Sequence, residues 1–568
     1  MVSYLQLAHN ERHPETGSPV ARVIHNFGRA DQVDREALRR LVASISRVLE
    51  PADTLAAGSG LEEVEVVEAK SCGGAYVLDA LFERLGITAA LRKAAAGRRL
   101  DAELVERICF ALTAQRALEP GSKLAATRWA AERVAIPGCP AFDGDAAYRA
   151  MDFLLAALPE IAEGVFSSTA SLLNLACDVI FVDTSSTYFE TDAADAEVEL
   201  AAHIDEAEAK AASAASSAEA GGLEEAATRR FSRHSKDKRP DLPQVVIGMA
   251  VTREGIPVRC WTFPGSASDQ LIIRRVHDDL AGWKLSRVLW VADRGFASVA
   301  NRAYLQRGGG HYVLAERLRS GSAEAREALA RAGRYRKVAG NLEVKEVRLG
   351  EGLRDARFVV VHNPEAAERD ARVRENLTRY LEEQIAGSDA WPQRRRDELV
   401  GTLRTRPGLF RLLRRTKAGL LRLDRAAASR EARLDGKWLL RTSDESLTAE
   451  DLALAYKQLY QVERGWRDMK GALGLRPVFH HREDRIRAHV QLCCLALLLI
   501  RVVENATGDT WRSVREELER MHLVTLESGE GRVVRRTRAT AGQRRILAAL
   551  ELPEPPLFSA FEVAAAPD

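Results

Sequence analysis

An excess of charge of one sign is missing from this sequence: 83 lysines and arginines stand against 81 aspartates and glutamates, a formal net charge of +2. So balanced a chain does not announce a polyanionic partner, and any nucleic-acid surface has to come from local clusters. Long apolar runs are missing too. The longest, LCCLALLLI from Leu492 to Ile500, is about half of what a membrane span needs. The opening MVSYLQLAHNERHPETGSP has no basic segment leading into an apolar one. We therefore expect no secretory signal, no membrane partner and a cytoplasmic protein. Cysteine is sparse: Cys72, Cys109, Cys139, Cys177, Cys260, Cys493 and Cys494 are scattered, odd in number and form no C-x-x-C pair. That excludes a disulfide framework and a thiolate zinc site.

What the chain does have is length, 568 residues of which 46% are apolar, enough for several domains of roughly 150 residues each. Residues 1–60 read as a hairpin followed by an amphipathic helix opened by Asp34. Residues 61–172 are helical in pattern throughout. Such short helices can present one of their number to a DNA groove, but a plain helical bundle has the same pattern, and both readings stay open. At about 173 the character changes to β-branched and aromatic runs, ACDVIFVDTS, PQVVIGMAVTREGIPVRCWTFPG and SRVLWVADRGFA, and the region 173–335 reads as a mixed α/β core. The Arg-Glu-Gly between two strand-like runs predicts an antiparallel hairpin. Within this core, 191–228 is rich in Ala, Glu and Ser, cannot bury enough apolar surface, and is expected to be a disordered insertion. A second compositional shift marks 336–445 as an inserted domain. Residues 446–505 return to helix, and 506–568 read as a short tail.

Asp183 ends one apolar run and Asp293 ends another. Two strand-end carboxylates brought side by side suit a hard divalent cation, although strand-end aspartate is also a common turn former. In AYKQLYQVERGWRDMK, Tyr456, Glu463 and Lys470 recur at seven-residue intervals and so share one face of a helix. A surface helix with a core-facing tyrosine and solvated Glu and Lys has the same spacing.

Taken together and in this order, DTSSTYFE, VADRGF and YKQLYQVERGWRDMK resemble the DDE transposases of bacterial insertion sequences, in the branch with a Tyr-x2-Arg-x3-Glu-x6-Lys signature. The resemblance covers most of the chain. Position by position it puts Asp183, Asp293 and Glu463 in the places of the three catalytic, metal-binding acids, with Tyr456 and Lys470 flanking the last. The signature arginine is Leu459 here, a departure that puts its phosphate contact in doubt. The resemblance implies an RNase H-like α/β fold with a mixed sheet, a helical N-terminal domain and a mainly β insertion before the glutamate helix. It further implies two Mg²⁺ ions, with Mn²⁺ as a substitute, and DNA as partner, both the terminal inverted repeats and the target. A homodimer in the synaptic complex and a nucleoid-associated state on DNA follow from the same likeness.

Such a site would hydrolyse a DNA phosphodiester and then pass the freed 3′-hydroxyl to target DNA, with no covalent protein intermediate. Three basic stretches supply the DNA surface that the net charge hid: Arg229 to Arg239, Arg394 to Lys417 and Arg532 to Arg538. Solvated helix faces are the plain alternative. The side chains expected to touch DNA are Tyr456, Lys470, Arg294, Lys236, Arg239, Arg467, Arg476 and Trp438. The last, in LDGKWLLRTS, would stack on a flipped base, or else be an ordinary core tryptophan on a strand. His480, His481 and His489 fit packing or phosphate contact better than metal ligation. An RNase H-like nuclease that cuts without joining, and a catalytically silent DNA-binding regulator, are the alternatives to a transposase.

Overall fold

The computed structural model describes residues 3–12, 19–29, 33–34, 38, 65–173, 179–189, 235–237, 239–281, 283, 288–319, 321–350, 356–478, 480, 482–528 and 531–563. Two compact units emerge, one made of residues 1–69, 524–536 and 556–568, the other of 70–523 and 537–555. The helix expected after Asp34 and the insertion at 191–228 lie outside the described residues.

In the first unit, β1 (Tyr4–Arg12) and β2 (Pro19–Arg29) form the expected antiparallel hairpin. Its register slips between Leu5 and Gln6, where Gly28 has φ +92° and its N–H is held by Asn26 Oδ1 at 3.0 Å. Phe27 is the unpaired extra residue, and a positive φ beside it is what glycine permits at low cost. β3 (Glu65–Ser71) belongs to a second, four-stranded sheet whose other strands come from the C-terminal end of the chain.

The second unit opens with helices: α1 (Gly73–Arg84), α2 (Ile87–Ala96), α3 (Ala102–Leu118), α4 (Lys123–Arg128), α5 (Gly144–Ala156) and α6 (Leu158–Leu172). Asp101, Ser122 and Asp143 cap α3, α4 and α5 by accepting backbone N–H groups with their side chains. α3 is buried on every side from Val105 to Leu118, which marks it as the centre of a packed bundle.

The strands that follow are β4 (Val179–Tyr188), β5 (Gln244–Val251) and β6 (Pro257–Pro264), then α7 (Asp269–Ala281), β7 (Leu289–Ala292), α8 (Val299–Leu305), β8 (His311–Glu316) and α9 (Ala323–Ala330). β9 (Arg336–Ala339), β10 (Leu342–Leu349) and β11 (Ala356–His362) lead into a helical excursion of α10 (Pro364–Ile385), α11 (Gln393–Arg404) and α12 (Pro407–Phe410). The excursion continues through a small hairpin, β12 (Leu413–Arg415) with β13 (Leu421–Leu423), and α13 (Arg425–Ala432) before β14 (Lys437–Thr442). The central sheet has nine strands in the order β6-β5-β4-β7-β8-β14-β11-β10-β9. β4, β7 and β8 are mutually parallel, and the strands on either side of them pair antiparallel. The fold is thus mixed α/β, and the predicted hairpin around Arg-Glu-Gly is β5–β6, with Gly255 at φ +75° in its turn.

The expected inserted domain is corrected in layout. Its strands β9, β10, β11 and β14 extend the central sheet instead of forming a sheet of their own, because β14 slots between β8 and β11. Between β11 and β14 the insertion is mainly helical, with a small core of Leu381, Leu403, Leu409 and Leu412.

After the sheet come α14 (Ala449–Lys457), α15 (Tyr460–Lys470) and α16 (Glu483–Thr507). α16 has the length and apolarity of a membrane span, yet 83% of its most apolar stretch is buried inside the fold, where it packs on α3, α5 and β6 as a core helix. Alternation along the strands divides the interior. Phe181, Met249 and Val291 face α15 and α16, while Ile180, Val246 and Trp290 face α7. The C-terminal stretch is folded, not a tail. α17 (Trp511–Leu518) buries Trp511, whose Nε1–H donates to Ala117 O at 2.9 Å. β15 (His522–Ser528), β16 (Gly531–Arg536) and β17 (Phe558–Val563) complete the four-stranded sheet in the order β17-β16-β15-β3, with α18 (Ala541–Ala549) between β16 and β17.

Candidate active site

β4 and β7 run parallel with Phe181 opposite Val291 and Val182 opposite Ala292. Asp183 and Asp293 are the next residues on each, so the register delivers both carboxyls to the same end of the same strand pair. Strand alternation puts them on the face of Phe181 and Val291, the side covered by the C-terminal helices. Asp183 continues β4 opposite Met249 of β5. Asp293 stays extended, at φ −76° and ψ 171°, before the short turn Arg294–Phe296.

Asp183 stands where ionisation is disfavoured. Burial pushes the Asp183 carboxyl up to about 6 against the pull of the Lys236 ammonium and a backbone N–H at Thr184, and the charges of Asp269 and Asp293 add to the rise. Tyr456 donates its hydroxyl to Asp293 Oδ1 at 3.2 Å. Burial and the negative charges of Asp293 and Glu463 hold that phenol well above its ordinary value, so it stays a protonated donor.

Tyr456 and Glu463 do not share one continuous helix, as their spacing predicted. The helix breaks at Gln458–Leu459, where Leu459 N–H bonds Tyr456 O, Gln461 N–H bonds Gln458 O and Val462 N–H bonds Leu459 O. These i→i−3 bonds tighten the turn, and they bury Leu459 in the core. Buried and apolar, Leu459 offers no charge to a phosphate. α15 then lies directly on the sheet because Gly465 has no side chain: a Cβ there would stand 2.6 Å from Met249 Cε. Glu463, one half-turn earlier, is on the exposed side of this helix.

The structure therefore brings Asp183 and Asp293 together and sets Glu463 near enough for Tyr456 to feel its charge. Among the described residues, no three His, Cys, Asp or Glu side chains form a group that could hold a metal ion. The single cluster of three acids expected from the resemblance is not closed: Glu463 sits on the outer side of α15, and the cation beside Asp183 is Lys236.

Several side chains expected to meet DNA have partners within the protein. Lys236 Nζ donates to Thr184 O at 2.9 Å and bridges Asp269 at 3.1 Å. Lys470 Nζ is 2.6 Å and Arg476 3.1 Å from the same oxygen of Asp237, whose side chain is only 6% exposed. Arg239 pairs with Asp241 at 2.7 Å and, like Arg476, lies over the Tyr188 ring. Arg294 and Arg467 are exposed. Trp438, on β14 opposite Val361, is 40% exposed and so is not the core tryptophan that its strand position allowed. His489 is buried, with Nδ1 3.3 Å from Lys123 Nζ and Nε2 3.3 Å from Leu475 O, and the half-buried His480 ring lies 5.6 Å from it at a tilt of 57°. His481 lies outside the described residues, as do Arg229 and Arg230 of the first basic stretch. The middle stretch spends part of its charge on itself, through Arg394–Glu398 and Arg415–Asp397 bridges. Sequence reading missed Asp237 and Asp269, which hold Lys470 and Lys236; the only signal was an acid set between two lysines in SKDK.

Two families match the chain. One is described as "Transposase DDE domain" and matches residues 224–499, taking in Asp293 and Glu463 but beginning after Asp183. The other, "IS1634 family transposase, N-terminal domain", matches residues 2–55. Together they cover more than half of the chain. No curated protein matches it. Among solved structures, the piggyBac transposase synaptic complex with hairpin DNA, seen by cryo-EM, is similar at 10% identity and a TM-score of 0.34 over 78% of this chain and 79% of that one. So loose a likeness carries no argument about the site.

Proposed function

We propose that the chain is a DDE transposase of an insertion sequence, a reading supported by its matches to a transposase DDE domain and to an IS1634 family transposase N-terminal domain, and that Asp183, Asp293 and Glu463 are the acids with which it cuts insertion-sequence ends and joins them to target DNA. The observation that carries the assignment is the β4–β7 register, which sets two strand-end carboxyls side by side. The strands β6-β5-β4-β7-β8 are read as the RNase H-like core.

Transposases of this family generally use divalent metal ions. The donors here are hard carboxylate oxygens, and two of them, on Asp183 and Asp293, stand at the same end of one strand pair, a donor type that fits such a cation. Mg²⁺, with Mn²⁺ as substitute and two ions as the working number, would be held by Asp183, Asp293 and Glu463 and would supply charge stabilisation to the attacking and leaving oxygens. Around that chemistry the chain's own groups position. Tyr456 ties up one oxygen of Asp293 and leaves the other free to face the substrate. Its phenol stays protonated, so it serves as a donor and not as a nucleophile. Arg294, exposed beside Asp293, and Arg467, exposed on α15, are placed for phosphates. Lys236, Arg239, Lys470 and Arg476 line the same region from within their ion pairs. Cutting at two ends calls for a homodimer in the working complex, with terminal repeats and target DNA as its partners.

Glu463→Gln keeps the shape and removes the charge. The variant is expected to shift a labelled element-end duplex at low salt as the parent does, and to show neither Mg²⁺-dependent nicking nor strand transfer. Normal cleavage by it would refute the assignment. Parent protein that nicks but never joins would mark a nuclease instead. Trp438, half-exposed on β14, is proposed to stack on a base flipped from the element end. Trp438→Ala is then expected to slow the second-strand cut while leaving the first-strand nick unchanged; an unaffected second cut would dismiss the role.

A further inference from the structure

Asp269, the first residue of α7, was pointed to by no motif, yet its carboxylate joins three segments that were. Thr184, the neighbour of Asp183, donates Oγ1–H to Oδ1 at 2.5 Å. Lys236 Nζ lies 3.1 Å from Oδ1 and 3.4 Å from Oδ2. Gly295, two residues after Asp293, is packed so closely that a Cβ there would stand 2.6 Å from Oδ2. The same Lys236 ammonium also reaches Thr184 O, and its charge is felt at Asp183. Neither partner of the Lys236–Asp269 bridge is fully solvated, with side chains 34% and 26% exposed.

A lysine on a flexible four-carbon stem stays beside two carboxylates only if something fixes it there. Here the fixing group cannot be Asp183 alone, because no hydrogen bond joins the two among the contacts described. Asp269 supplies the anchor, and Thr184 in turn orients Asp269. Resting on the assignment of Asp183 and Asp293 above, we propose that Asp269 is a positioning residue: it holds the Lys236 ammonium at the end of β4, where that cation meets a non-bridging oxygen of the phosphate being cut. Lys236 is then the group that touches substrate, and Asp269 acts through it. The absence of a Cβ at residue 295 is part of the same device, since it leaves room for the carboxylate against the turn that carries Asp293.

The test is a double-mutant cycle on the full chain, read as single-turnover nicking of a labelled duplex carrying the DNA that flanks the gene. Asp269→Asn keeps the size of the side chain and an acceptor for Thr184. At saturating DNA it is expected to cut about tenfold or more slowly, with low-salt affinity changed less than about threefold. Lys236→Met is expected to lose a similar factor, and the double variant to be no slower than the worse single one, because both remove one arrangement. Wild-type cutting by Asp269→Asn, or losses that multiply in the double variant, would overturn the proposal. Should Asp269→Asn fail to fold, Gly295→Ala, which leaves both charges and displaces the carboxylate, takes its place with the same expected loss in rate; full activity there is equally fatal. Asp183→Asn is run beside them. If it cuts DNA, the underlying assignment is wrong; if it is inert while Asp269→Asn cuts normally, only the positioning role falls.

Discussion

Ionised Asp183 works against the fold that contains it. Its carboxyl has an ordinary value of 3.8 and rises to about 6 in the folded chain, chiefly through burial. The folded state therefore holds this proton more tightly than the unfolded one. Its contribution is fully present below about pH 4 and is lost as pH rises through about 6. Asp183→Asn, which cannot ionise, is expected to be more stable than the parent at pH 7.5 by up to about 3 kcal/mol, with the gap closing at pH 4. Urea unfolding at the two pH values decides it, and a gap of the same size at both would remove the explanation. At this scale the sequence was partly legible. Asp183 and Asp293 stood out because each interrupts an apolar run. Asp237 and Asp269 did not, because an aspartate between lysines or just after Gly-Ser-Ala-Ser has the look of a turn or cap residue. Asp237 finds Lys470 across 233 positions of sequence, a distance that no local pattern reports.

The Glu463 helix is placed by an element-level fit that depends on a missing side chain. Gly465 lets α15 rest on β5 against Met249, the residue opposite Asp183. Gly465→Ala puts a methyl 2.6 Å from Met249 Cε, so the methionine must swing aside or the helix must lift. Overpacking of this kind is expected to destabilise the chain by roughly 1–3 kcal/mol. It should also slow cleavage more than it weakens DNA binding, because Glu463 rides on the same helix. Pairing it with Met249→Ala makes room and is expected to recover part of both losses; a double variant no better than Gly465→Ala alone would show that the contact does not seat the helix. The seven-residue spacing of Tyr456, Glu463 and Lys470 was visible in the sequence and suits one unbroken helix. Only the short hydrogen bonds around Leu459 show that the chain tightens there, and such a turn leaves no composition signature, since Gln, Leu and Tyr are all ordinary helix residues.

Across the whole molecule, the change to strand character near residue 173 and the return to helix near 446 were legible because composition shifts at both places. Where the intervening strands go was not. A run such as KWLLRT reads as a strand anywhere, and its place between β8 and β11 is decided by pairings with residues 313–316 and 357–362. That placement governs the order in which the protein can become whole as it leaves the ribosome. Until Lys437–Thr442 has been made, β8 and β11 each present a bare flank, and the two halves of the sheet have no strand between them. Bare flanks pair with whatever strand comes near, so prematurely terminated chains that end after residue 362 and before residue 437 should clump. Such fragments would already contain Asp183 and Asp293, yet neither Glu463 nor the helix that seats it would have been synthesised. An interrupted message would therefore yield polypeptide that is insoluble and, lacking one acid of the three, harmless to the DNA around it.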